Sequence, residues 1–151
     1  MKPLALSLLI MILAGAATFA QEKSSYEIDF TDPKSVVNAI FYAAKSKNLA
    51  ILETLCDPSG VSDGDTWTLC SMSEIARQTG VDRSESSADP IKEFVSMFAV
   101  GKITGDVSYE AQQGTEYANV PFWFNHPGGE GRSNESMTLV KRGKNWYLSS
   151  F

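Results

Sequence analysis

Apolar residues change their spacing twice along this chain. From Leu4 to Ala17 they run almost unbroken and without charge. Between Val36 and Phe98 they recur at the 3.6-residue period of a helix, and from Ile103 onward they alternate with the period of two that belongs to strands. Asp32-Pro33 opens a first helix: Asp is a good N-cap, and proline's missing N–H costs nothing at the first helical position. Val36, Val37, Ile40, Phe41 and Ala44 form its apolar face, and Lys45 and Lys47 suit the negative end of its dipole. Asn48 reads as a new N-cap for a shorter helix carrying Leu49, Leu52 and Leu55 and ending near Cys56. Residues 57–69 are rich in turn formers and read as a loop, Met72 to Gln78 predict one or two helical turns, and 79–88 are polar. Asp89-Pro90 repeats the helix start. Ile91, Phe94, Val95 and Phe98 place a third helix over 90–100, with Gly101 as its C′ stop.

The strand region is punctuated by turns. Val107, Tyr109 and Ala111 alternate with polar residues up to Gln113-Gly114. Ala118, Val120, Phe122 and Phe124 form the next apolar set, before a longer loop at His126-Pro127-Gly128-Gly129. Met137 and Leu139 mark a third strand, and Arg142-Gly143-Lys144 turns into a last one, Trp146 to Phe151. Tyr26, Ile28 and Phe30 also alternate, which suggests a short edge strand within an otherwise polar lead-in, 21–31. Helices first and an antiparallel meander afterwards make an α+β domain, with helices covering one face of a sheet of about four or more strands.

The N-terminus changes where this domain is expected to live. Lys2 is a short positive region, the apolar run follows, and small residues lead to Ala20, so residues 1–20 read as a signal peptide cleaved before Gln21. The run is shorter than the roughly 20 apolar residues of a membrane span. Leu13-Ala14-Gly15 is followed by Ala16 where a lipoprotein signal would carry cysteine, so no lipid anchor is expected. The product is expected to be soluble and periplasmic or extracellular, one domain over 32–151.

Net charge is -5, and loss of Lys2 makes the mature chain more negative. Nucleic acid is therefore excluded as a partner, because neutralising phosphates takes clustered Lys and Arg. The two cysteines, Cys56 and Cys70, are expected to pair in an oxidising compartment. Their bridge would tie an insert at 57–89 and stabilise the fold by roughly 3 kcal/mol. Two Cys and one distant His126 do not make a zinc site. Asp57, Asp63 and Asp65 are not spaced as a calcium loop and are better explained by turn chemistry. No metal or cofactor is implied. Asn134-Glu135-Ser136 matches a glycosylation acceptor by coincidence, since the leader looks bacterial.

The helix Asp32-Pro33 … Val36-Val37 … Ile40-Phe41-Tyr42 and the terminal Thr138-Leu139-Val140-Lys141-Arg142-Gly143-Lys144-Asn145-Trp146-Tyr147-Leu148 together resemble the NTF2-like superfamily. Within it, the chain is similar to small exported bacterial proteins of the DUF4878 group. The resemblance covers residues 32–56 and 90–151, and not the cysteine-bearing insert. It implies a cone, a strongly curved sheet around a long helix with a pocket between them. Members include isomerases, dehydratases, ligand binders and protein-interaction modules, so it speaks for fold more than for chemistry.

Enzymes of this type hold an acid or a histidine inside the cone. Strand parity leaves Glu116 and Glu135 as the acids sharing the apolar face, both at strand starts where solvated carboxylates are expected; His126 lies in a loop. A Ser-His-Asp arrangement and a phosphate-cradling glycine loop have no sequence support. Phe41, Phe94, Phe98, Tyr109, Phe122, Phe124 and Trp146 either line a pocket or fill it as core. Tyr117 and Trp123 have the opposite parity and are candidates for a contact surface or a homodimer through the sheet. The leading expectation is an exported, non-enzymatic domain that binds a small apolar ligand or a protein partner. A cone-type isomerase or dehydratase and a dimerisation or scaffold module using the open sheet face are the alternatives.

Overall fold

Asp32 caps the first helix as its place before Pro33 requires: its carboxylate accepts the Lys34 N–H at 3.0 Å. This helix, α1, spans Pro33–Ser46. Residues 26–79, 90–126 and 131–151 are described by the computed structural model of the chain. The leader 1–20, the start of the lead-in, most of the polar stretch 79–88 and the loop 127–130 lie outside them. After α1 come α2 (Ala50–Leu55), α3 (Gly64–Cys70), α4 (Met72–Thr79) and α5 (Pro90–Phe98). The strands are β1 (Lys102–Ile103), β2 (Ser108–Gln112), β3 (Thr115–Asn125), β4 (Arg132–Arg142) and β5 (Asn145–Ser150). The architecture is α+β, with helices packed on a five-stranded, open, antiparallel sheet.

β3 organises the sheet. One of its edges pairs with β4 from Tyr117 to Asn125, and the other takes β2 at its start and β1 near its end. The run that alternates from Ile103 to Gln113-Gly114 is thus interrupted: β1 ends at Ile103, and the chain resumes as β2 only at Ser108. The turn to β3 demands positive φ at both central residues, and Gln113 (51°) and Gly114 (82°) provide it. Ala118, Val120, Phe122 and Phe124 alternate inward with Met137 and Leu139 of β4 and Trp146 and Leu148 of β5, all buried. α1 lies against this face. Val36, Val37, Ala39, Ile40, Ala43 and Ala44 are inaccessible, so α1 is buried round more of its circumference than a surface helix.

Gly101 corrects the expectation of a left-handed helix stop, since its φ is not positive. A close approach requires it instead: a Cβ there would stand 2.5 Å from two ring carbons of Phe41. Two further expectations are revised. Tyr26, Ile28 and Phe30 do pack against the core but form no strand, because only the Phe30 carbonyl meets the sheet, accepting the Trp146 N–H at 2.8 Å. The N-cap of α2 is Leu49 rather than Asn48, without a side-chain cap.

The insert is not all loop. Asp63 accepts the Thr66 N–H at 2.7 Å and so starts α3 inside the stretch read as turns. Cys56 and Cys70 are joined, with Cα atoms 6.1 Å apart, so α3 is clamped to the end of α2. The insert also covers the edge of β5. Asp57 N–H donates to the Leu148 carbonyl at 3.0 Å, and Ser62 N–H to that of Ser149 at 2.9 Å. Ser149 is available because the β4–β5 register shifts by one there, leaving it without a partner on β4. A sheet edge that would otherwise present unpaired groups is thereby sealed.

Candidate functional site

Where α3, α4 and α5 meet the end of β3 and the start of β4, the helices stand off the sheet and leave a pocket of about 540 Å³. The helical spacing of the insert builds one wall: Asp65, Thr68 and Leu69 recur on α3 at i, i+3 and i+4, which is one face, and Met72 at the start of α4 extends it. α5 builds the opposite wall with Phe94, Met97 and Phe98, on a single face for the same reason. Phe124 of β3 and the terminal Phe151 close it.

The floor is aromatic. Phe98 stacks on Phe124 with ring centres 5.2 Å apart, and Phe151 meets Phe98 edge-on at 5.6 Å. Asp63 holds Phe151 there, because its second carboxylate oxygen accepts the Phe151 N–H at 3.1 Å as well as the Thr66 hydroxyl at 3.0 Å. Burial works against the Asp63 charge, but these bonds and the Thr66 N–H outweigh it and hold the carboxyl below its ordinary range. One residue therefore starts α3 and fixes the last aromatic of the pocket.

Three carboxylates stand at the rim: Asp65 on α3, Glu93 on α5 and Glu135 on β4. All three are exposed. No lysine, arginine or histidine lines the pocket among the described residues.

Of the aromatics singled out in the sequence, Phe94, Phe98 and Phe124 reach this pocket. Phe122 and Phe41, 5.8 Å apart, lie behind it in the core. Trp146 is buried elsewhere on the inner face, beside the Lys141 ammonium (5.4 Å) and Tyr109 (5.8 Å), and Tyr109 itself is 64% exposed. Glu116 is exposed and ion-paired with Lys141 at 2.8 Å. His126 is exposed, and its backbone N–H donates to the Gly131 carbonyl. On the outer face Tyr117 and Trp123 are half-buried, and the Arg132 guanidinium lies 4.0 Å from the centre of the Trp123 ring.

Asp57 is committed to structure. Its side chain is 2% exposed and is held by Arg142 through two bonds, 3.1 Å to Nε and 2.6 Å to Nη2, and by the Ser59 N–H at 3.0 Å. Burial raises its pKa, but these bonds prevail and hold the carboxyl low. Among the described residues no three His, Cys, Asp or Glu side chains come together to hold a metal ion. No described helix is long and apolar enough to cross a membrane. The pocket residues that sequence reasoning missed are chiefly those of the insert. The signal that reveals them is the i, i+3, i+4 series from Asp65 to Leu69, once Asp63 is read as an N-cap.

Neither protein-family models nor curated protein sequences match this chain.

Proposed function

We propose that this chain is an exported, NTF2-like binding domain that takes a small apolar ligand and performs no chemistry on it. The observation that carries the reading is the pocket. Its volume lies within the roughly 300–1,000 Å³ typical of small-molecule sites, and its walls are leucine, methionine and phenylalanine with carboxylates only at the mouth. Export is supported by the leader-like residues 1–20 and by a cysteine pair that is bonded, as an oxidising destination favours. The cone reading is supported by the order of elements and by an inner sheet face that packs on α1.

A cone-type isomerase or dehydratase would need an enclosed acid or histidine. Glu116 is ion-paired in the open, and Glu135 and His126 are exposed, so none of these three candidates is enclosed. An interface through the outer face is disfavoured because Arg132 already covers the Trp123 ring.

The test is fluorescence of the neutral apolar probe N-phenyl-1-naphthylamine titrated with the mature protein. Enhancement that saturates at one site, and is lost in Met97→Trp, which fills the pocket, is the expected result. A Met97→Trp protein that folds and binds the probe as well as the parent would overturn the assignment.

A further inference from the structure

We infer that the pocket selects a cationic amphiphile, a small molecule with an apolar body and one protonated amine or quaternary ammonium group. This rests on the binding reading above and adds the ligand's charge. Four carboxylates elsewhere on this fold are answered by cations, Asp57 by Arg142, Glu116 by Lys141, Asp106 by Lys34 and Glu74 by Arg77, and others, Asp32 and Glu53 among them, stand singly. Asp65, Glu93 and Glu135 have no such partner among the described residues, and they come from three separate elements to one mouth. Three like charges converging on one opening repel each other, and a cation seated between them relieves that repulsion.

The walls point the same way. Phe94, Phe98, Phe124 and Phe151 line the pocket, and an aromatic ring attracts an ammonium group wherever it offers its face and gives an anion nothing there. Met72 and Met97 add polarizable sulfur to the apolar lining and adapt to an irregular tail. One effect opposes. α3 and α5 bring their N-termini toward the mouth, and each helix start carries about half a positive charge. Three full carboxylate charges exceed two such fractions, so the mouth stays negative. A net-negative chain extends that field outward. An apolar ligand that is neutral would bury its tail equally well and leave the mouth uncompensated, whereas a fatty acid would bring a fourth carboxylate to it.

The experiment is calorimetric titration of the mature protein with three n-octyl compounds below their micellar concentrations: octyltrimethylammonium, 1-octanol and octyl sulfate. The cation is expected to bind about tenfold tighter than the alcohol at low salt, as one or two partly screened charge contacts would give, with the sulfate weakest. Raising salt should narrow the gap. Asp65→Asn/Glu93→Gln/Glu135→Gln should bring the cation to the alcohol's affinity and leave the alcohol unchanged; Glu135→Gln alone should move it part of the way. Octylammonium in place of the quaternary ion tells whether the site prefers an N–H donor. Equal affinity for all three octyl compounds overturns the charge selection and leaves the apolar pocket standing. Binding by none of them, with Met97→Trp indistinguishable from the parent, overturns both.

Discussion

Asp57 is a carboxylate that folding has taken out of water, while its partner Arg142 keeps about two-fifths of its side-chain surface. That inequality makes the pair asymmetric. Asp57→Ala leaves an arginine that water can still solvate, and should cost about 1–3 kcal/mol in urea unfolding. Arg142→Ala leaves a buried carboxylate held by little more than the Ser59 N–H, and should cost more. The pH dependence follows from the same bonds. The folded pKa values of Asp57 and Asp63 lie below the ordinary 3.8, so their stabilisation is complete above that value and is lost as pH falls from there through the lowered folded value. Melting temperature should therefore drop as the solution is acidified below about pH 4. In Asp57→Ala the drop should be shallower; an unchanged slope would mean that other groups set the acid limit.

At the scale of elements, α3 shows how much a single cap decides. Asp63→Ala removes the acceptor for the Thr66 N–H and also frees the Phe151 N–H. The expected loss is about 1 kcal/mol for the cap, together with weaker binding of the naphthylamine probe, because Phe151 loses its anchor. A variant that loses stability but binds normally would show that Phe151 is held by packing alone. α1, α5 and the inward parities of β3 and β4 were legible in the sequence, because each rests on local signals: an Asp-Pro start, an unbroken 3.6-residue face, or alternation between turns. α3 was not. Asp57-Pro58-Ser59-Gly60 and Asp63-Gly64-Asp65 carry the composition of turns, and what makes a helix of 64–70 is tertiary, a disulfide to α2 and a bond from residue 151. Tyr26 to Phe30 failed for the opposite reason, since alternation was present but only one carbonyl found a ladder partner. The three rim carboxylates were visible only as exposed acids, because their convergence depends on how α3, α5 and β4 pack.

For the whole molecule, the pocket has one wall in the sheet-and-α5 body and one in an insert that the Cys56–Cys70 bond clamps. Reduction should lower stability by roughly 3 kcal/mol, as expected for a loop of this length, and should weaken probe binding by more than global unfolding explains. Titrating the probe against Cys56→Ser/Cys70→Ser at a temperature where that variant stays folded separates the two effects. Equal affinity in the folded variant would show that packing alone holds the α3 wall.

The two margins of the sheet differ in kind. Along β5 the outward groups are taken by residues 30, 57 and 62, whereas β2 is exposed at all five positions and bonds only to β3 among the described residues. A particle that can accept a foreign strand on one side only has a valence of one. Two copies meeting through their β2 strands would consume each other's open margin, and nothing would remain from which a third could grow. Antiparallel self-pairing centred on Glu110 would also set that carboxylate against its own copy, a repulsion that weighs against even the pair. Sealing β5 with the insert thus does more than complete a ligand site. It removes the second margin that a linear polymer of this domain would need.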